Sequence, residues 1–512
     1  MHADNGRQPG ELLSLLLEAG SGPSAAFVTP EDGVTLTYAQ LADRVEALAR
    51  GLAGAGVRRG DRIALTLPNG PEFVQIILAA TLLGAAAAPL NPAYTETEFA
   101  FYLEDIAPRL LLVPAAGAPR AAVSAAGAAA VPLIELAAGA GGHPELTADG
   151  TPTRAAASYE SGEPDDIALV LHTSGTTSRP KQVPLRQRNL MASARTIAGH
   201  YQLGADDVSF CVMPLFHIHG LVASAFAAMA AGGTVLAPRR FTAHRFWPQA
   251  REHGVTWLSA GPTLHQMILD RADADGAPAS LRFARSCSSA LTPALLERAE
   301  AAYGVPVLEA YGMTEASHQM TSNPLPPAAR QPGSVGVPAG AEIAIADPAG
   351  QFLAAGQPGE VVIRGPGVMS GYLSNPAANA DAFVGDWFRT GDLGVIRDGY
   401  LYLEGRLKEM ILRGGENIAP AEIDQALLAH PAVADAVSFG ISDAKYGEVP
   451  AAAVVLGQDV PVSELIGHCR ERLAAFKVPT AIYVLAEIPR TATGKVQRRR
   501  VAEHVAGTQA AG

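Results

Sequence analysis

From Leu36 to about residue 320 the chain alternates helical and extended patterns, and this alternation restricts the fold more than any other feature. Apolar residues recur at helical spacing at Leu41, Val45, Leu48 and Leu52, and Gly56 closes the run. The stretch 61–67 (Asp-Arg-Ile-Ala-Leu-Thr-Leu) reads as a strand, followed by the turn Pro68-Asn-Gly-Pro71 and a helix from Glu72. Repetition of this unit predicts a largely parallel sheet covered by helices. From Gly333 the texture changes to short strands at 342–346, 360–364 and 400–403 between glycine turns, which predicts a β subdomain. After Gly405 a small unit of strands and helices runs to about residue 500. The expected class is therefore α/β: a large N-terminal domain of helix-covered sheets with a β subdomain over 1–405, a boundary at 406–408, and a small α+β C-terminal domain over 409–512. The alanine- and glycine-rich stretch 115–142 reads as a surface excursion without chemistry.

Composition narrows the function. With 512 residues the chain has ample core, and 48% hydrophobic against 17% charged residues is globular, not disordered. A net charge of −12 argues against a nucleic-acid surface, and Arg498-Arg-Arg500 is only a local patch. Cys211, Cys287 and Cys469 are far apart and form no CxxC, which argues against a disulfide framework or zinc site and fits a reducing cytosol. The first residues lack a signal-peptide pattern, so a cytoplasmic location is expected. Residues 73–90 and 220–238 are apolar enough to suggest membrane spans, but Gln75, Gly84, Pro89 and Gly232-Gly233 interrupt them. Each is expected to be a buried helix running into a strand, with no membrane span. The oligomeric state is open between monomer and homodimer.

Several stretches carry chemistry. Residues 173–181, Thr-Ser-Gly-Thr-Thr-Ser-Arg-Pro-Lys, follow the apolar strand pattern 167–171. Thr173, Ser174, Gly175, Thr176, Thr177 and Lys181 supply hydroxyls, backbone N–H groups and a cation that can wrap a nucleotide polyphosphate, although a solvated polar turn has the same composition. The P-loop pattern G-x-x-x-x-G-K-[ST] is absent. Thr314 and Glu315, in Tyr311-Gly-Met-Thr-Glu-Ala-Ser317, follow the apolar run 305–308 and suit a phosphate oxygen and a Mg²⁺ ion. Asp392, behind Thr390-Gly391, suits ribose hydroxyls. The loops around Arg406-Leu-Lys408 and Arg413-Gly-Gly415, and a terminal Thr-Gly-Lys495, complete the set.

In this order, over Leu36 to Lys495, the segments resemble the adenylate-forming superfamily of acyl-CoA synthetases, luciferases and peptide-synthetase adenylation domains. The resemblance implies ATP, Mg²⁺ and coenzyme A as partners of a small-molecule acid, and a C-terminal lid that rotates between acid adenylation and thioester formation. It implies that residues 173–181 hold the β- and γ-phosphates, Thr314 contacts the α-phosphate and Glu315 binds Mg²⁺. Asp392 and Arg406 would hold the ribose; Ala290 with Glu309, Ala310, Tyr311, Gly312 and Met313 would line the nucleotide. Lys408 falls at the hinge, Gly414 and Gly415 at the approach to the CoA pantetheine, and Lys495 at the bridge between acid and α-phosphate. One position departs from the family: Gln182 follows Lys181 where the loop ordinarily ends in Pro-Lys-Gly, raising the question whether that position needs a glycine conformation.

The acid side of the resemblance falls on His217, His219, His265, Ser288 and His318, with His217 also a catalytic candidate. Histidines and hydroxyls are poor lining for a long alkyl chain, because burying unpaired polar groups is costly. They predict a small acid with a second polar or anionic end, and the wording of these segments is most similar to the oxalate–CoA ligase branch. The alternative is adenylation of nitrite or another small acid with transfer to an amine or other non-CoA acceptor. A pseudo-enzyme that only binds nucleotide is disfavoured by the presence of Glu315, Asp392, Arg406 and Lys495 together.

Overall fold

In the computed structural model, residues 11–139, 143–173, 180–272, 276–490 and 496–510 are described. Two helix-covered sheets form the larger part. The first has nine strands, in spatial order Val337–Pro338, His318–Ser322, Val307–Met313, Phe283–Ser286, Trp257–Ala260, Val208–Phe210, Thr234–Leu236, Ala25–Thr29 and Val34–Thr37. Its six central members, from Val307–Met313 to Ala25–Thr29, run parallel, as the alternation of helix and strand demands. The second sheet has eight strands; Ile167–Thr173 lies in parallel beside Ala86–Pro89, and Lys181–Arg186 forms the antiparallel edge. The helix Pro71–Leu82, buried almost throughout, fills the core between them.

Both apolar segments that suggested membrane spans are core elements. Residues 73–90 run from the helix Pro71–Leu82 into the strand Ala86–Pro89, and 220–238 run from a helical stretch into Thr234–Leu236. No helix among the described residues is long and apolar enough to cross a membrane.

The stretch 115–142 is not a surface excursion. It holds the helix Arg120–Ala128, with Ala122, Ala125 and Ala126 buried, and the strand Leu133–Ala138, paired in parallel to Leu110–Pro114. Alanine is the best helix former and packs closely against a sheet, so a biased composition here is a docked βα unit and not an excursion.

Residues 342–406 form the expected antiparallel sheet: Glu342–Ala346, Gly359–Arg364, Trp387–Arg397 and Tyr400–Arg406, with Phe383–Val384 at the edge. Beyond it, Ile411–Arg413, Glu416–Ile418, Val433–Asp443, Gly447–Leu456 and Ala481–Val484 build a separate five-stranded sheet with its own cores around Ile411, Ile423, Val454 and Leu465 and around Phe439, Val501 and Val505. Arg498 in the terminal patch is not a surface cation. Its guanidinium reaches Asp424 at 2.6 Å and Glu409 at 3.3 Å, tying the last helix to the rest of this unit.

Candidate active site

The C-terminal ends of three adjacent parallel strands, Trp257–Ala260, Phe283–Ser286 and Val307–Met313, deliver polar residues to one edge of the first sheet, where ligands of open α/β sheets bind. The third strand does not end at Leu308 as its apolar run suggested. It continues through Tyr311 to Met313 by pairing antiparallel with His318–Ser322, and a single 3-10 turn, Thr314–Ala316, joins them. Gly312 permits this, because a Cβ there would stand 2.2 Å from the His318 carbonyl oxygen.

On the nucleotide side three predicted residues come into direct contact. The Tyr311 hydroxyl donates to Asp392 Oδ2, and Arg406 Nε lies 2.8 Å from Asp392 Oδ1. Asp392 sits inside the strand Trp387–Arg397, opposite Arg406 in the ladder, and Gly391 before it adopts φ +73. Burial, reinforced by the Asp392 charge, pushes the Tyr311 phenol well above its ordinary range, so it stays a donor. Glu309 is buried and accepts from the Gly333 backbone N–H at 3.0 Å. Ala290 is exposed on the segment after Phe283–Ser286.

Burial raises the Glu309 carboxyl from 4.5 to about 7. The folded chain therefore keeps this proton after the unfolded chain has lost it, and stability falls as pH rises from about 4.5 to about 7. Glu309→Gln retains the acceptor and removes the ionisation. It is expected to be near neutral at acid pH and to stabilise at pH 8 by up to about 3 kcal/mol, read by urea unfolding at both pH values.

On the phosphate side Glu315 is buried, and burial raises its carboxyl, opposed by its own backbone N–H and the Tyr372 hydroxyl. Tyr372 donates to Glu315 Oε1 at 3.0 Å and offers its ring face to Lys181 Nζ, 4.4 Å from the centroid. One aromatic ring thus joins Lys181, the candidate phosphate-binding lysine, to the candidate metal carboxylate. Thr314 is half-buried beside them. A buried carboxylate with a neutral hydroxyl donor fits a hard divalent cation that takes its other oxygens from phosphates and water. No cluster of three or more metal-ligating side chains occurs among the described residues. Ser174, Gly175, Thr176, Thr177 and Lys495 lie outside the described residues.

The departure at Gln182 has a structural answer. Gln182 lies in the extended strand Lys181–Arg186, paired with His172 across the ladder, and it is absent from the residues with positive φ. Its side-chain amide donates to the Asp105 carbonyl at 2.7 Å and to Asp105 Oδ2 at 2.8 Å, while His172 Nε2 lies 2.8 Å from the same Oδ2. Asp105 therefore pins His172 and Gln182, which flank the candidate phosphate loop, to the helix Glu96–Ile106. Gln182→Gly is expected to raise the KM for ATP several-fold and lower stability by about 1–2 kcal/mol, with the KM for CoA unmoved; steady-state kinetics and thermal unfolding check this.

The acid side gathers around a residue the sequence reading missed. Arg285, on Phe283–Ser286, is fully buried; its Nε donates to the Tyr201 hydroxyl at 2.9 Å, Nη1 to Ser259 Oγ at 2.8 Å, and Nη2 lies 3.3 Å from His318 Nδ1. His219 joins it through Ser259 at 2.7 Å and reaches Ser288 at 2.9 Å, and the His219 N–H donates to His217 Nδ1 at 3.3 Å. So His217, His219, Ser288 and His318 converge. His265 stands apart: its nitrogens are taken by the Tyr303 hydroxyl at 3.0 Å and the Arg285 carbonyl at 3.1 Å, and burial lowers it to about 4. The signal for Arg285 was a charge inside an apolar strand pattern, Phe283-Ala-Arg-Ser286.

Near the boundary, Lys408 is exposed on the 3-10 turn Leu407–Glu409, and Gly414 and Gly415, at φ +57 and +94, make the two-residue turn of a tight hairpin.

A family model described as AMP-binding enzyme matches residues 18–373, and one for the AMP-binding enzyme C-terminal domain matches 422–495. The chain belongs to the AMP-binding enzyme family. Among AMP-binding enzymes it is 46% identical to an oxalate–CoA ligase of Arabidopsis thaliana, over 96% of this chain and 98% of that one. It is 38% identical to a sulfoacetate–CoA ligase of Cupriavidus necator, over 96% and 97%. The o-succinylbenzoate coenzyme A synthetase of Bacillus subtilis, solved with ATP and a magnesium ion, superposes with a TM-score of 0.84 at 32% identity, covering 96% of this chain and 99% of that one.

Proposed function

We propose that this AMP-binding enzyme is an acid–CoA ligase that activates a small polar acid, with oxalate the best candidate. The observation that carries the reading is the floor of the acid site: His219, His318, Ser259 and Arg285 are buried and hydrogen-bonded where a fatty-acid enzyme needs an apolar tunnel. The oxalate and sulfoacetate named in its relatives are acids of this kind.

In the first half-reaction a carboxylate oxygen attacks the α-phosphate of ATP and the bond to pyrophosphate breaks. Tyr311, Asp392 and Arg406 hold the adenosine; residues 173–181, with Lys181, hold the phosphates that leave. Thr314 is assigned to the α-phosphate and Glu315 to Mg²⁺, which when bound offsets negative charge on the phosphate oxygens. Lys495 bridges the two approaching anions, and His217, half-buried at the mouth of the acid cluster, is assigned to the reacting carboxylate. In the second half-reaction the CoA sulfur attacks the acyl carbon and AMP departs, with Gly414 and Gly415 beside the pantetheine.

The lid comprises 409–512 and turns on Lys408. Arg406 is fastened to Asp392 on one side and Glu409 to Arg498 on the other, which leaves the exposed Leu407-Lys408 between two anchors. Its substrates suit the cytoplasm.

Pyrophosphate release measured with oxalate, malonate, sulfoacetate, acetate, octanoate, cinnamate and nitrite, with and without CoA, tests the reading. Oxalate or another small charged acid is expected to lead, with CoA-dependent AMP release. A clear lead for octanoate or cinnamate rejects the polar pocket, and turnover indifferent to CoA rejects the acceptor.

A further inference from the structure

Arg285 is a cation without a counter-charge among the described residues. Its guanidinium is fully buried, and no carboxylate among the described residues pairs with it; its partners are a phenol, a serine hydroxyl and two imidazoles. An ion taken out of water is penalised by several kcal/mol even after relaxation, and neutral acceptors spread its charge without cancelling it. Even less covered arginines are matched: half-buried Arg498 has Asp424 and Glu409, and Arg406 has Asp392.

The surroundings show where the charge is used. A guanidinium only donates, so His318 Nδ1 must present its lone pair to Arg285 Nη2, and the remaining proton of that neutral ring sits on Nε2. Ser259 Oγ accepts from Arg285 Nη1 and so donates to His219 Nε2; the His219 proton then lies on Nδ1 and is donated to Ser288 Oγ. Ser288, having accepted, has its own O–H left to donate, and it is half-buried where His219 is fully covered. Burial and the Arg285 charge keep both imidazoles well below their ordinary range, in accord with neutral rings. The two rings lie 4.8 Å apart. Ser288 and His318 both adopt positive φ, +78 and +102, conformations that non-glycine residues hold only where the surrounding structure insists.

We infer that Arg285 is the positioning residue for the second anionic group of the acid: it fixes the tautomers of His219 and His318 so that Ser288 Oγ–H and His318 Nε2–H face the acid as donors, backed by an unneutralised positive charge. The substrate class is a short acid with a second carboxylate or a sulfonate close to the reacting carboxylate. The inference rests on the acid-activation reading and narrows it.

The test compares wild type, Arg285→Met, Arg285→Lys and Ser288→Ala in pyrophosphate release with oxalate, malonate and acetate, together with melting temperature with and without oxalate. Arg285→Met is expected to lower the oxalate-to-acetate ratio of kcat/KM by about 100-fold or more, mainly through KM for oxalate, and to abolish the oxalate-induced rise in melting temperature. Without ligand it should melt no lower than wild type, since removing an uncompensated buried charge relieves a cost. Arg285→Lys is expected to recover part of the ratio, and Ser288→Ala to lower it about 10-fold without touching the buried charge. An unchanged ratio in Arg285→Met, or in Ser288→Ala should Arg285→Met not fold, overturns the inference while leaving the ligase reading in place. Wild-type protein that releases pyrophosphate with no acid overturns both.

Discussion

Lys495→Ala is expected to slow acyl-adenylate formation by on the order of 100- to 1,000-fold while thioester formation from preformed acyl-adenylate stays within a few-fold of wild type. The physical reason is confined to the first half-reaction. An acid carboxylate and a polyphosphate repel as they approach, and a cation held between them stabilises the transition state more than either separated ground state. Once the adenylate exists, the carboxylate charge is gone and a thiol meets a neutral acyl carbon, so the same cation has little left to offset. Pyrophosphate exchange measures the first step, and AMP release from synthetic acyl-adenylate with CoA measures the second. Equal loss in both steps would remove Lys495 from the bridging role.

Glu315→Gln is expected to reduce pyrophosphate release by about 100-fold and to raise the Mg²⁺ concentration needed for half-maximal rate. The substitution keeps the shape and the acceptor for the Tyr372 hydroxyl but removes the charge that a divalent cation requires. It should not weaken the fold, because burial already disfavours the ionised carboxyl and an amide escapes that cost. An activity loss accompanied by a lower melting temperature would instead mark Glu315 as scaffold. Tyr372→Phe serves as the graded control: it leaves the carboxylate but frees its orientation and is expected to cost about 10-fold, with the Mg²⁺ requirement raised in the same direction.

Elements whose pattern is local were legible from the sequence. The parallel strands and the two apolar segments each announce themselves within a few positions, as do Tyr311, Asp392 and Arg406, the candidates that the fold brings into contact. What stayed hidden depends on partners far apart in the chain. Arg285 is one more charged residue until Tyr201, Ser259, His219 and His318 close around it from four other segments. Asp105 sits 67 and 77 positions from the two residues it pins, and Tyr372 sits 57 from the carboxylate it orients. The alanine-rich 115–142 misled for a different reason: small residues carry no periodic contrast, so a helix packed on a sheet looks like filler. Gln182 looked like a conformational liability because the family pattern places glycine there, yet its extended backbone and its bonds to Asp105 show a side chain doing work that glycine has no atoms to do.

The pairing of Asp392 with Arg406 has one more consequence. The side chains assigned to the adenosine end of the proposed intermediate, Tyr311, Asp392 and Arg406, precede the exposed Leu407-Lys408, and the residues assigned to the swapped chemistry, Gly414, Gly415 and Lys495, follow it. The machine is divided like a vice and a turret. In the proposed cycle one body keeps its hold on the workpiece through both operations, and the other exchanges the lysine tool for the thiol port. On that proposal a half-made acyl-adenylate waits out the changeover without being released to water.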